Sequence, residues 1–346
     1  MNRSIASILQ YLLFIGLGVL FVWLSVRDIT EQEWLQIKDA LRRARHWLII
    51  PAFFLLFLAH YSRALRWRIL MQPLGYRPSR FNTFAAVMIG YLVNSGVPRL
   101  GEVVKCTLLA KYERVRADKL VGTIVVERAV DVVCLLIAFL AAIIFEGQVI
   151  WAPLSESFSN FFYDNSGHAS IRKIIIVVGS IVVVIAVLYF LLKRFGHIDA
   201  IAKIKSVLRG ILDGLNSIRR LENKGLFLFH TLLIWALYLS GTTIGIYALR
   251  ETSHLGIGGG LTTLVFGSLG MIVSPGGIGA YALIVAKLIG WYGLDPHTIG
   301  RALGWLLWSV QTLIILLGGV FCFAFLSYHN KNRVIENVEL NRAENP

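Results

Sequence analysis

Apolar runs too long for an ordinary soluble core dominate this chain. Six of them, at residues 5–26, 47–70, 119–146, 171–195, 226–250 and 299–327, each hold at least 22 residues. At ~1.5 Å of rise per residue, each can cross the ~30 Å of hydrocarbon in a bilayer. Backbone in lipid has no water to bond, so such runs fold as helices whose hydrogen bonds close within the segment. The runs therefore predict an all-α polytopic membrane protein forming a single integral domain over 1–346. Composition agrees, with 56% of residues hydrophobic and 16% charged. The first run exceeds a signal h-region and lacks a small-residue cleavage site, so it reads as a span.

Two further apolar stretches, 81–110 and 257–291, are broken near their middles by Gly and Pro. The first breaks at "NSGVPRLGE", Asn94 to Glu102, and the second at "SPGGIGAY", Ser274 to Tyr281. Lys and Arg counts give an orientation, because cytoplasmic loops of membrane proteins are basic. Residues 193–224 carry eight Lys and Arg, whereas 147–170 carry none. Residues 193–224 and the 328–346 tail are then inside, and 147–170 is an outer loop. Segments 71–80 and 111–119 both fall inside, and both are basic. The stretch 81–110 thus returns to the side it left, as a re-entrant hairpin. The same count makes 257–291 a hairpin from the outer side. Segment 27–46 is the exception, placed outside with five basic and four acidic residues. Its amphipathic pattern suits an interface helix, and its side stays open.

The order of elements then repeats. Residues 1–146 and 171–327 each read as span, amphipathic linker, span, hairpin, span, in opposite orientations. Inverted repeats with broken helices in matching positions are a transporter pattern, and the breaks point to the binding site.

Charged residues inside apolar helices are costly, at least ~2.5 kcal/mol each in lipid, and so point to function. "VVERAVDVVC" places Glu127, Arg128 and Asp131 in the third span. Glu127 and Asp131 share a face, and Arg128 is in i,i+3 reach of Asp131. In the second span Arg63 lies deepest, while Arg66 and Arg68 suit snorkelling at the cytoplasmic end. At the first break, Arg99 and Glu102 should face each other or a cavity, with Arg99 meeting a phosphate. Asn94 joins this tip. At the second tip, Ser274, Gly276 and Gly277 let backbone approach an anion. The plainer readings are a solvated salt bridge at Arg99–Glu102, a packing ion pair at Glu127–Asp131, and a tight packing turn at 274–281.

The net charge of +14 fits basic loops and attraction to anionic lipid, so no nucleic-acid partner is expected. Cys106, Cys134 and Cys322 read as small core residues. Neither metal spacing nor a hydrolase or phosphate-loop motif is present, so no cofactor and no catalytic residues are expected.

The motifs "RALRWRIL" (63–70), "GYLVNSGVPRLGEVVK" (90–105), "ERAVD" (127–131) and "SPGGIGAY" (274–281) together resemble the lysylphosphatidylglycerol synthase transmembrane, or flippase-like, family. The resemblance covers nearly the whole chain. It implies movement of a lipid across the membrane, a role that bifunctional members combine with a separate cytosolic aminoacyl transferase domain. The present chain is expected to be a stand-alone member without that domain. It departs from the family pattern at Ala282, where a Glu often follows "GGxG". The combined reading is a translocase of an anionic, amino-acylated or polyprenyl-phosphate lipid in the bacterial cytoplasmic membrane, its C-terminus cytoplasmic. A homo-oligomer is compatible with this reading. The alternatives are a membrane transferase using Glu127 and Asp131, and a non-transporting scaffold for a lipid-modifying enzyme.

Overall fold

A computed structural model of the protein describes residues 16, 18–97, 99–113, 115–162 and 221–331. All regular structure among them is helical. The first helix, α1, is described over 18–26. Then come α2 (Glu31–Arg42), α3 (Ile49–Met71), α4 (Arg80–Gly96), α5 (Leu100–Glu113) and α6 (Ala117–Phe162). After 221 follow α7 (Lys224–Ala248), α8 (Gly256–Val273), α9 (Ala280–Trp291) and α10 (Arg301–His329).

Five helical segments among the described residues are long and apolar enough to cross a membrane: His46–Leu74, Ala117–Trp151, Lys224–Ala248, Ser253–Val273 and Pro296–His329. This is a multi-pass membrane protein. Four of the five coincide with expected spans. The expected span 171–195 and the linker 197–222 lie outside the described residues, as does most of 5–26. The fifth, Ser253–Val273, was read as one limb of a hairpin. A turn at Ser253–Leu255 lengthens α8 to 21 residues, ~31 Å, enough by length to cross.

The expected outer loop at 147–170 also needs correction. Helix continues to Phe162, past a non-helical Glu146 (φ −122°, ψ 24°) and through Pro153. The apolar "VIWAPL" after the break supports further helix, so the lack of basic residues there did not mark a loop.

Segment 27–46 does hold an amphipathic helix. Thr30 Oγ1 accepts from the Glu33 backbone N–H, while Glu33 accepts from the Thr30 N–H at 2.6 Å, a reciprocal cap that starts α2. Only Ile37 and Ala40 of α2 are buried.

The packing is organised by close backbone approach. α3 lies most extensively against α7, and α4 packs on α5 and α10. A Cβ on Gly90 would lie 2.9 Å from the Gly101 carbonyl oxygen, so α4 and α5 touch backbone to backbone as a hairpin. These helices hold 17 and 14 residues, ~25 and ~21 Å, shorter than hydrocarbon thickness. Small residues four apart act likewise between α9 and α10, where Ala282 and Ala286 face Gly304 and Gly300. A Cβ on Gly304 would come 2.7 Å from the Ala282 Cα. Ala282 is 1% exposed, so this packing leaves no room for the carboxylate that the family resemblance brought into question.

Gly304→Leu should therefore force α9 and α10 apart and destabilise the protein by about 1–3 kcal/mol, the usual range for overpacking. Thermal melting in detergent checks this, and an unchanged midpoint would refute the contact.

Candidate functional site

Two arginines on one face of α3 start the site. Arg63 and Arg66 are 7% and 0% exposed. The snorkelling expected for Arg66 does not occur, because a partner lies within the bundle. Arg63 Nη1 donates to Asp131 Oδ2 at 2.9 Å, and Arg66 Nη2 donates to Oδ1 at 2.7 Å. One carboxylate on α6 thus clamps two turns of α3. Arg68 points elsewhere and donates to the Pro78 carbonyl at 2.6 Å.

One turn back on α6, Glu127 is 1% exposed. Its Oε2 accepts from Lys105 Nζ on α5 at 2.8 Å, and its Oε1 lies 3.6 Å from Arg63 Nη1 and 3.9 Å from Arg66 Nη2. Lys105 is 3% exposed and sits 4.4 Å above the Trp67 ring, a cation–π position. Trp67 Nε1 in turn donates to Thr123 Oγ1 at 2.8 Å. Lys105 and Arg66 went unnoticed as site residues in the sequence. Arg66 had a signal, its i,i+3 spacing from Arg63. Lys105 had a weaker one, i,i+3 from Glu102.

Arg128 does not reach Asp131, whose two oxygens are already taken. One residue past Glu127, it is rotated toward the first hairpin, and its Nε donates to Glu102 Oε1 at 3.1 Å. Both side chains are partly exposed, at 44% and 32%. Glu102 therefore pairs with α6 and not with Arg99. Arg99 is exposed, makes no ion pair among the described residues, and has φ +68°. A left-handed backbone at a residue other than Gly is uncommon and is often kept at functional positions.

The remaining expected residues build a second place, where the two broken tips meet. Asn94 Oδ1 accepts from the Gly101 N–H at 2.8 Å and closes the first hairpin. Pro98 lies outside the described residues. At the second tip Ser274 Oγ donates to the Ile278 carbonyl at 3.1 Å, and Gly276 and Gly277 have φ of +59° and +71°. A Cβ on Gly276 would lie 3.4 Å from the Ser95 Cα, so the tips abut. Trp308 Nε1 donates to the Gly276 carbonyl at 2.9 Å and holds this turn from α10. With α1 the tips enclose a cavity of about 540 Å³, bordered by Val22, Trp23, Ser95, Gly96, Pro275 and Ile278. It is largely apolar.

One turn of α4 joins the two places. Tyr91 packs on His60, 5.2 Å between ring centres, and Ser95 meets the second tip. Arg63, Arg66, Lys105 and Glu127 are buried, not open to the hydrophilic cavity expected around Glu127, while Arg128 and Glu102 at the edge are partly exposed. Within the cluster Arg63 Nε, Arg66 Nε and Nη1, and Glu127 Oε1 have no hydrogen-bond partner.

Comparison with known proteins now bears on this arrangement. The family model described as the lysylphosphatidylglycerol synthase TM region matches residues 7–319. The chain belongs to this family. Arg63, Arg66, Lys105, Glu127 and Asp131, as well as both tips, fall inside the matched region. Among similar proteins, a UPF0104 membrane protein of Methanothermobacter thermautotrophicus is 27% identical over 124 residues, 35% of this chain and 36% of the relative. A UPF0104 membrane protein of Methanocaldococcus jannaschii is 31% identical over 86 residues, 24% of this chain and 26% of the relative. The aligned stretches thus span about a third or less of those relatives' lengths. No solved structure matches the chain.

If Lys105–Glu127 is a buried pair, Lys105→Met should destabilise by about 3–5 kcal/mol, because a charge is left inside. Lys105→Met combined with Glu127→Gln should recover part of that loss. A double-mutant cycle on melting measures the coupling, and additive effects would count against the pair.

Proposed function

We propose that this family member is a lipid translocase that moves a phospholipid or polyprenyl-phosphate lipid across the bacterial cytoplasmic membrane, without a catalytic step. The observation that carries this reading is the sign of the charge cluster. Among the described residues four cations, Arg63, Arg66, Lys105 and Arg128, face three carboxylates, Glu102, Glu127 and Asp131. The surplus positive charge suits one phosphodiester.

The pairing also suits exchange. Lys105 and Glu102 ride on α5, while their partners Glu127 and Arg128 ride on α6. A shift of the first hairpin parts both pairs together. A head-group phosphate can then take the released cations, and an amino-acylated head group can give an ammonium to Glu127. Arg99, exposed at the tip, makes the first contact with the phosphate. The apolar cavity between the tips and α1 keeps hydrocarbon beside this path while tails stay in lipid.

In this reading 81–110 and 257–291 are re-entrant hairpins of an inverted repeat. The shortness of α4 and α5 supports this for the first stretch, and the tip-to-tip approach of Ser95 and Gly276 supports the pairing of the two breaks, although α8 with its preceding turn is long enough to cross. The C-terminus and residues 71–80 are cytoplasmic.

Two experiments test the proposal. Single cysteines at Arg80 and Lys111 should label from the cytoplasmic side, and those at Ser253 and Asp295 from the other; labelling of 80 and 111 from opposite faces would overturn the hairpin. In vesicles, Arg99→Ala should leave melting nearly unchanged and slow lipid translocation tenfold or more, about 1.4 kcal/mol of lost interaction. Undiminished translocation in both Arg99→Ala and Glu127→Gln, with normal melting, would overturn the assignment of these residues to transport.

A further inference from the structure

A second pocket lies at the junction of α9 and α10, apart from the charge cluster; its walls are largely apolar, with Lys287 and Arg301 among its lining residues. Its volume is about 510 Å³, and Ala286, Lys287, Trp291, Pro296, His297 and Arg301 line it. Arg301 decides its chemistry. It is 5% exposed, its Nη1 has no hydrogen-bond partner, and it forms no ion pair among the described residues. The Glu33 carboxylate is near enough to feel its charge but makes no direct ion pair with it. A buried guanidinium without a direct ion pair is expensive, and a pocket beside it gives an anion a place to offset that expense.

The neighbouring carboxylates are engaged elsewhere. Glu33 accepts from the Thr30 backbone N–H at 2.6 Å and its hydroxyl at 2.8 Å, and lies 3.9 Å from His297 Nδ1. Those bonds from Thr30 hold its pKa below the ordinary carboxylate range, with smaller help from His297 and Arg301. Asp295 accepts from the His297 N–H and from Thr298 Oγ1 at the start of the next turn. No acidic residue lines the pocket, whereas Lys287 is exposed at its edge.

Position matters as much as charge. Arg301 begins α10, and Asn330, which bonds Asn82 beside the start of α4, follows its end. The 29 residues of Arg301–His329 rise ~42 Å from first to last, the depth of a whole bilayer. Arg63 and Arg66 lie within eight residues of the end of α3 at Met71, two short connections from Asn82. The pocket is therefore at the opposite end of the bundle from the end nearer the charge cluster. Trp291 beside it is a residue type enriched at membrane interfaces.

We infer that this pocket binds a phosphate group, with Arg301 as its buried counter-charge and Lys287 at its mouth. A phospholipid head group and free inorganic phosphate share that chemistry. The inference rests on the pocket alone and holds whether or not the protein translocates lipid.

The full chain, purified in a neutral detergent and stripped of lipid, provides the test. Binding of dioleoylphosphatidylglycerol is titrated by native mass spectrometry, with dioleoylglycerol, which lacks phosphate, and inorganic phosphate as separate arms. Phosphatidylglycerol should bind and dioleoylglycerol should not. Arg301→Gln should weaken binding at least tenfold, about 1.4 kcal/mol. The exposed Lys287→Gln should weaken it by a smaller factor, and decides the matter should Arg301→Gln not fold. Arg77→Gln, which removes an exposed charge at the other end of the bundle, should leave this class of binding in place. Displacement by inorganic phosphate supports a site for the anion alone; retention of the lipid against it supports a lipid site. Equal binding by the parent, Arg301→Gln and Lys287→Gln overturns the inference. An equal loss in Arg77→Gln also overturns it, because any surface charge would then serve, while leaving the translocase reading untouched.

Discussion

An ionised side chain inside a bundle that crosses a membrane has to find an opposite charge, and Asp131 meets that demand by holding Arg63 and Arg66 together at 2.9 and 2.7 Å. That clamp joins α3 to α6. Lys105 and Glu127 then join α5 to the same face of α6. Three helices from distant parts of the sequence are registered against one another by two carboxylates one turn apart. Hydrophobic burial cannot supply such register in lipid, because a Leu gains little by leaving lipid tails for a neighbouring helix. Charge pairs and close backbone approach carry the specificity in its place.

Close approach is the second device, and glycine makes it available. Gly90 against Gly101 draws α4 and α5 together, and Gly300 and Gly304 admit Ala286 and Ala282. The left-handed glycines at 276, 277 and 279 turn the second break through a short path that an L side chain would strain. The two breaks then meet at Ser95 and Gly276. Irregular backbone at this point bonds to protein, with Asn94 accepting from the Gly101 N–H and Trp308 donating to the Gly276 carbonyl. Breaks supported in this way are compatible with a position inside a bilayer.

Much of this was legible in the sequence, for reasons that differ from residue to residue. Long apolar runs marked four of the five spanning segments because hydrocarbon sets helix length directly. Glu127 and Asp131 stood out because nothing apolar explains a carboxylate at i and i+4 in such a run. Partners were harder to read. Arg128 seemed placed for Asp131 by helical spacing, but a local pair on one helix loses to a tertiary pair when Arg63 and Arg66 reach the carboxylate through the core. Beyond its i,i+3 spacing from Glu102, nothing in the sequence alone singled out Lys105, and only the fold of the first hairpin turns it inward over Trp67. Helix from 147 to 162 was missed because the stretch carries no Lys or Arg and includes Pro153, yet the break at Glu146 lets a further helical piece begin. The unpaired state of Arg301 had no sequence signature at all, since it arises from where Glu33 and Asp295 place their own bonds.

The burial of Arg63, Arg66, Lys105 and Glu127 constrains how any transport can run. Opening it to water one charge at a time would leave Glu127 facing fewer cations in a low-dielectric interior, which costs several kcal/mol. Moving the first hairpin as a unit avoids that sequence, because Lys105 leaves Glu127 as Glu102 leaves Arg128, and net charge on α6 changes little. In the proposed translocase reading, Arg63 and Arg66 would stay on Asp131, so part of the site would remain neutralised while the other part became available. A substrate carrying both a phosphate and an ammonium replaces both lost partners at once. A purely anionic substrate replaces one and leaves Glu127 dependent on the two arginines, at 3.6 and 3.9 Å. Under the proposed function, the same geometry would therefore favour a head group that carries both charges over one that is purely anionic.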